Sequence, residues 1–496
     1  MATCSLSQVV PILAILFALV QPIVSYILDR KHLRKFPCPS YAGLSTIWRI
    51  VQNLNYRHYL AVHEAHKKLG THVRIAPNHV SISDPRAMND IYGHGANMMK
   101  DAWYDGGAGE YRHMADSRVK SEHQAKRKMF AHVFAQKTIA GLEPVVTRKC
   151  SLLVEEIDKK VTSGKSINIR RYLNYFTIDL ISELLYGESL GCLTRGNDTV
   201  DAETKDGKVY QVPFVKSLHE ATIINTVLGM EAPLLPYTRK LFSWHPYKKA
   251  GADFENIIYH NTMKRLGNDD AENDFFQKLL VNSKGEKLDL PVGEALAECS
   301  VMMNAGSDTT TAALTGTIYL LYKHPHILQK LREELDNAMG SQEIPQYDTV
   351  ANLPYLRACI EESLRIKPAS TMGLPRVVPP GGRTIAGKFV DEGVTVSVPT
   401  YTLLRNEEAF ESPEVFNPDR WIDGDKEKMG KAHLPFSTGP RACIGRNIAY
   451  FEQVVLIATL VHLYEFRFTE ENFELATLER FNANPGELVV SCSRRS

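Results

Sequence analysis

The chain has 496 residues, 44% of them hydrophobic and 23% charged, with a formal net charge of +1. That balance suits a globular protein with a large core, and the absence of a basic tail or arginine-rich run excludes the charge pattern of a nucleic-acid binder. The eight cysteines are scattered without Cys-x-x-Cys pairs, which fits neither a disulfide framework nor a zinc site and points to a reducing compartment.

From Val9 to Leu28 no residue is charged. About 20 such residues are enough to span a bilayer as a helix. Asp29 follows, then Arg30, Lys31, Arg34 and Lys35, while the flank before the run has no lysine or arginine. The positive-inside rule then keeps the body of the chain on the cytosolic side. A cleaved signal peptide is the competing reading. The length of the run, its uncharged start and the lack of a small-residue cleavage site speak against it. Phe36-Pro-Cys-Pro39 reads as a stiff connector, because proline fixes φ and removes a donor.

In the body, Val73/Ile75 and Val80/Ile82 alternate with polar residues across a Pro-Asn turn, which predicts a hairpin over Thr71 to Pro85. Leu228 to Phe242 is apolar, either a lid edge that touches a membrane or a buried loop. Pro291 to His324 predicts one very long helix, and Pro325 starts another. Inside the long helix, Ala305 to Thr310 reads AGSDTT. Glycine costs about 1 kcal/mol in a helix interior relative to alanine, and threonine hydroxyls bend helices by bonding back to the i−4 carbonyl. The stretch is either a packing notch or a groove for a ligand, with Asp308 and Thr309 as its polar pair. Glu362 and Arg365 share a helix face at i, i+3. Short strands are expected at Thr384–Val390 and Val394–Val398, and a proline-directed turn at Phe416 to Trp421 carries Arg420. No internal repeat stands out. The pattern is mostly α with a small β part.

Phe436 to Gly445 reads FSTGPRACIG, a lone cysteine between Gly439 and Gly445 and two residues after Arg441. An apolar helix follows, so Cys443 lies near a helix N-terminus, where free N–H groups favour a thiolate. As a nucleophile it would need a general base, and none is near in sequence. As a metal ligand it is sufficient alone for haem, whose porphyrin supplies the other four donors; a thiolate ligand favours O–O cleavage.

The loop Phe436-x-x-Gly439-x-Arg441-x-Cys443-x-Gly445 resembles the haem-binding loop of the cytochrome P-450 superfamily. The AGSDTT groove, the Glu-x-x-Arg helix and the Phe416–Arg420 turn resemble that family's other motifs in the same chain order, and the general look is similar to microsomal fungal members. The resemblance implies a mostly α fold with small β-sheets, one large catalytic domain behind an N-terminal transmembrane helix. The division is an anchor at 1–28, a basic, proline-containing linker at 29–45 and a haem-thiolate monooxygenase domain at 46–496.

It also implies roles. Cys443 would bind the iron of haem b, with Phe436, Gly439 and Gly445 shaping the loop. Arg441, Arg376, Arg127 and His123 would contact the haem propionates, although many members carry tryptophan where His123 stands. Glu362, Arg365 and Arg420 would form a buried charge network. Thr309 and Asp308 would guide protons for O–O cleavage. The substrate, a lipophilic small molecule of fungal secondary metabolism, would be walled by Ala102–Tyr111 (with Trp103, Tyr104 and Tyr111), Met302 to Thr309, Ala369–Leu374 and Phe481–Gly486. No flavin or dinucleotide fingerprint is present, so electrons would come from NADPH-cytochrome P-450 reductase, with cytochrome b5 as a possible helper. Lys120, Lys126, Lys128 and Lys431 are candidates for its docking face. The implied location is the endoplasmic reticulum membrane. Rival readings are a haem-thiolate isomerase or dehydratase that does not activate oxygen, and a haem-binding protein without turnover.

Overall fold

A computed structural model describes residues 20–131, 133–135, 138, 140–268, 274–281, 286 and 288–495. Most of the expected Val9–Leu28 span therefore lies outside the described residues. Its described end, residues 20–28, is helical and exposes Val20, Ile23, Val24, Ile27 and Leu28. Among the described residues no helix is long and apolar enough to cross a membrane.

The helices that position the site are α1 (Ile47–Leu54), α2 (His58–Leu69), α3 (Lys120–Ala131), α4 (Glu143–Ser163), α5 (Ile169–Tyr186), α6 (Phe214–Gly229), α7 (Leu235–Leu241), α8 (Pro246–Leu266), α9 (Val292–Lys323), α10 (Pro325–Met339), α11 (Pro354–Ile366) and α12 (Arg446–Leu463). The expected long helix is α9. At 32 residues and 1.5 Å per residue it is about 48 Å long. Thr310 to Tyr322 are all buried, because α5, α11 and α12 pack around it. A helix enclosed on every side must satisfy its own polar groups. Its threonines do so by back-bonding: Thr311 Oγ1 donates to Ser307 O at 2.9 Å, Thr315 to Thr311 O at 2.7 Å and Thr317 to Ala313 O at 2.9 Å. This helical core is one large apolar cluster.

The principal strands are β1 (His72–Ala76), β2 (His79–Ile82), β3 (Met99–Lys100), β4 (Arg376–Val377), β5 (Arg383–Ile385), β6 (Lys388–Val390), β7 (Thr395–Ser397), β8 (Tyr464–Phe468), β9 (Thr477–Arg480), β10 (Asn482–Pro485) and β11 (Val489–Arg494). The expected 71–85 hairpin forms as β1–β2. One five-stranded sheet runs β1-β2-β7-β4-β3, so residues before 101 and after 375 meet there. The expected strand at Thr384–Val390 is in fact a tight hairpin, β5–β6. It turns at Ala386 and Gly387, both at positive φ. A second apolar cluster lies under this sheet.

Candidate active site

The Cys443 loop is fixed by one backbone position. Gly439 has φ +72°, and a Cβ there would sit 1.9 Å from Tyr92 O. Only glycine tolerates both. After that turn, Cys443 N–H donates to Phe436 O at 2.9 Å, and the Phe436 ring packs on Tyr450 with centroids 5.0 Å apart. Gly445 is the N-cap of α12. A Cβ on Gly445 would meet nothing within 4 Å, so chain packing does not demand that glycine. Cys443 itself is exposed. Desolvation by the surrounding protein pushes its thiol up, against the backbone N–H groups of Gly445 and Arg446 and the charges of Arg127 and Arg446. The N–H groups of the helix terminus favour the thiolate, as expected from the sequence, but desolvation opposes them; a bound metal ion, which deprotonates a coordinating thiol, would tip the balance.

Around this loop the structure gathers cations. Arg127 Nη1 donates to Ala442 O at 2.8 Å, and Arg441 donates to Ser117 O at 2.6 Å and Arg118 O at 3.1 Å. Arg376 Nη1 donates to Tyr104 Oη and Pro375 O, each at 3.0 Å. His123 is buried, and desolvation, then Arg441, Lys100, Arg127 and Arg376, lowers it to about 3. Lys100, which the sequence reading missed, stands directly opposite Arg376 in the β3–β4 pair. Both are buried, at 5% and 3% exposure. Lys100 Nζ donates to Ala115 O. Like charges directly opposed across strands are destabilising. Among the described residues no carboxylate is hydrogen-bonded to Lys100, Arg127, Arg376 or Arg441. Desolvation, then Arg376 and Arg441, push the Lys100 amine well below its ordinary value, against Asp116. Such a group, with no carboxylate among the described residues bonded to Arg127, Arg376 or Arg441, would suit a flat ligand that carries carboxylates at one edge, as haem does.

The charge network does assemble. Arg365 donates to Glu362 through Nε (2.9 Å) and Nη2 (2.8 Å), Arg420 Nε donates at 3.0 Å, and both Glu362 and Arg365 are fully buried. Burial would raise the Glu362 carboxyl, but Arg365, the Asn417 N–H and Arg420 hold it below its ordinary value. Sequence reasoning missed Trp421, whose indole N–H donates to Glu362 at 2.9 Å. Arg365 also reaches the carbonyls of Leu404, Pro413 and Val415, pinning the chain that leads to the cysteine loop.

On α9, the Thr309 hydroxyl donates to Ala305 O at 2.7 Å. Asp308 points elsewhere. It accepts from His219 Nε2 at 2.8 Å, Asn482 Nδ2 at 3.0 Å and Asn484 Nδ2 at 2.6 Å. Burial would raise its carboxyl, and these three donors hold it well below its usual range. Asp308 thus ties α6 and the β9–β10 hairpin to α9. Of the expected wall residues, Trp103 is buried and stacks on Phe481. Tyr111 is displaced from the wall. Its ring lies where a Cβ on Gly293 would be, sixteen residues and about 24 Å up the helix from Thr309. Lys126 is not a docking residue: it is buried in ion pairs with Glu294 (2.5 Å) and Glu298 (2.9 Å).

Comparison with known proteins agrees with this site. The family model for cytochrome P-450 matches residues 40–489. The chain is 33% identical to benzoate 4-monooxygenase of Aspergillus niger, covering 94% of each chain. It is 31% identical to a cytochrome P-450 monooxygenase of Penicillium roqueforti, covering 93% of this chain and 95% of that one. With a cytochrome P-450 monooxygenase of Penicillium brasilianum it shares 29% identity over 89% of this chain and 88% of the other. A cysteine loop, a cation cluster and a buried glutamate network in one chain, matched over nearly its whole length, place it in the cytochrome P-450 superfamily of haem-thiolate monooxygenases.

Proposed function

We propose that this monooxygenase oxidises a lipophilic small molecule of fungal secondary metabolism at a haem held by Cys443. The observation that carries the reading is an exposed Cys443 on a loop bonded directly by Arg127, with Arg376 and Arg441 near and, among the described residues, no carboxylate hydrogen-bonded to any of the three guanidinium groups. Arg127, Arg376, Arg441 and Lys100 would hold the propionates, with His123 beside them. The haem, when bound, supplies the activation of O2, one atom of which enters substrate while the other leaves as water. The chain's own tasks are to exclude bulk water and deliver protons. Thr309, whose hydroxyl bonds back to Ala305 O, would deliver protons once it turns from that carbonyl. Asp308 sits next to it in sequence but is bound by three donors, and it takes part only when those bonds loosen.

Electrons would come from the membrane-bound NADPH reductase, with cytochrome b5 as a helper. The exposed lysines Lys120, Lys128 and Lys431 remain candidates for its docking face. The domain division is 1–28 anchor, 29–45 linker and 46–496 catalytic domain, held at the endoplasmic reticulum membrane with the body in the cytosol. Exposed apolar side chains on one face of α1 (Ile47, Val51, Leu54) and along α7 and its flanks (Leu234, Tyr237, Leu241, Trp244) support contact with a bilayer. The test is Cys443→Ala. It should abolish the thiolate-type absorption band of the reduced carbon-monoxide complex, and its retention would refute the assignment.

A further inference from the structure

Two buried acids grip one hairpin. In β9–β10, Arg480 pairs directly with Asn482, so Phe481 alone makes the turn, at φ +91°. A bulky side chain held there is strained and persists only where the surroundings impose it. The Phe481 ring stacks on Trp103 at 5.7 Å between centroids, and Trp103 Nε1 donates to Thr226 O of α6 at 3.0 Å. These two rings and α6 form a roof. Downstream of the turn, Asn482 and Asn484 are held by Asp308. Upstream, Glu479 does the holding. Its Oε1 accepts from Thr371 Oγ1 at 2.8 Å, and its Oε2 accepts from the Tyr59 N–H at 2.7 Å. Tyr59 is the second residue of α2, so Glu479 satisfies one of that helix's orphan donors. Thr371 belongs to the wall segment Ala369–Leu374, where Ala369 O in turn accepts from Ala483 N at 2.8 Å.

Glu479 is fully buried, and no guanidinium reaches it. Arg49 on α1 acts on it only through space and spends its Nη1 on His79 of β2 at 3.1 Å. His58 on α2 stands 3.8 Å from Oε2, too far to bond. Both its ring nitrogens are unpartnered and it is 3% exposed. Tyr401 and Arg405 lie beyond Tyr59, and Arg480 on β9 faces the Tyr56 ring. Desolvation raises the Glu479 carboxyl to about 7, opposed by Thr371, the Tyr59 N–H and Arg49. A cavity lined by Arg49, His58, Tyr59, His79, Thr371 and Ser397 adjoins it.

We propose that Glu479 is a positioning residue for the substrate roof: by joining Thr371 and the start of α2 it fixes the β9–β10 turn and hence Phe481, and because no cation among the described residues is bonded to this fully buried carboxyl, its charge is accommodated by an opening that admits water. The sign follows from linkage. The closed arrangement keeps the proton to about pH 7, whereas a hydrated glutamate releases it near 4.3. Closure is therefore favoured below about pH 5, weakens by up to about tenfold per pH unit between pH 5 and 7, and levels off above.

The test rests on the haem-binding reading. Purified holoenzyme is titrated with 4-phenylimidazole, whose aryl group reaches toward the roof, and with imidazole, which does not. The quantity read is the Kd of the wild type divided by that of Glu479→Gln, from pH 5 to 8; the ligand's own protonation cancels in this ratio. For 4-phenylimidazole the ratio should rise at least several-fold from pH 5 to 7, and for imidazole it should stay flat. Thr371→Val removes a donor that favours the carboxylate and should move the midpoint of the wild-type change to higher pH, which serves as the readout if Glu479→Gln does not accumulate. A ratio independent of pH in a variant that still binds haem, or an unmoved midpoint in Thr371→Val, overturns the proposal. Protein that binds no haem refutes the underlying reading instead.

Discussion

Glu362→Gln isolates the buried charge network, because it keeps the shape of the side chain and removes only its charge. Oε1 accepts from Arg365 Nη2, Arg420 Nε and the Asn417 N–H, and Oε2 accepts from Arg365 Nε and Trp421 Nε1. An amide nitrogen at the Oε2 position loses two of these bonds and leaves the fully buried Arg365 and the mostly buried Arg420 without the Glu362 charge. Stranding a buried charge costs about 3–5 kcal/mol. With an unfolding entropy of about 2.1 cal/mol/K per residue, a chain of this size carries about 1 kcal/mol/K, so the expected fall in Tm is about 3–5 °C. The assay is a thermal melt of the holoenzyme at fixed scan rate, with haem content per chain measured beside it. Adding Arg420→Gln removes one stranded cation, so the double variant should cost less than the sum of the single ones by about 0.5–3 kcal/mol. A single Gln variant that melts within about 1 °C of the wild type would show that the network is worth no more than a surface pair.

Gly439→Ala should yield no soluble holoenzyme, since the new Cβ would lie 1.9 Å from a backbone oxygen at a positive φ; recovery of haem-loaded protein would contradict the loop geometry. Thr309→Ala should keep its haem but consume NADPH without matching product, and Thr309→Ser should restore coupling; unchanged coupling in the Ala variant would remove Thr309 from proton delivery. Glu452 is buried with Oε2 unpartnered, and desolvation lifts its carboxyl to about 8. The folded chain thus holds a proton that the unfolded chain releases, and stability falls as pH rises from about 4.5 to 8. The Tm advantage of Glu452→Gln over the wild type should therefore grow from pH 5 to pH 8, and a constant difference would exclude this.

The sequence made legible whatever is encoded at short range. Gly439 and Cys443 stand four residues apart, Glu362 and Arg365 three, and the β1–β2 hairpin closes on a Pro-Asn turn. Long-range ties left weaker traces. Trp421 reaches Glu362 from 59 residues away. Lys126 reads as an exposed helix cation until α9 brings Glu294 and Glu298 against it. Asp308 reads as the partner of its neighbour Thr309, yet its donors come from residues 219, 482 and 484. In each case the chemistry of the residue was visible, and the partner depended on which elements pack together.

Lys100 carries the same lesson into a measurement. Two of the buried charge systems among the described residues differ in completeness. In one, Glu362 answers Arg365 and Arg420. In the other, Lys100 and Arg376 oppose each other across two strands, with Arg441 and Arg127 near, and no carboxylate among the described residues is bonded to them. The first is neutral enough to stand by itself. In the second, burial and the charges of Arg376 and Arg441 disfavour the Lys100 ammonium, and a dianionic ligand edge would restore it. If Lys100 meets a propionate, Lys100→Met removes one charge-assisted bond of about 1.5–3 kcal/mol. Haem transfer from the variant to excess apomyoglobin should then be faster by about 10- to 150-fold, and Lys100→Glu should be faster still. An unchanged transfer rate in Lys100→Met would place the amine outside the haem edge and leave its burial opposite Arg376 to be explained by the Tyr104 ring, which lies 4.7 Å from Nζ.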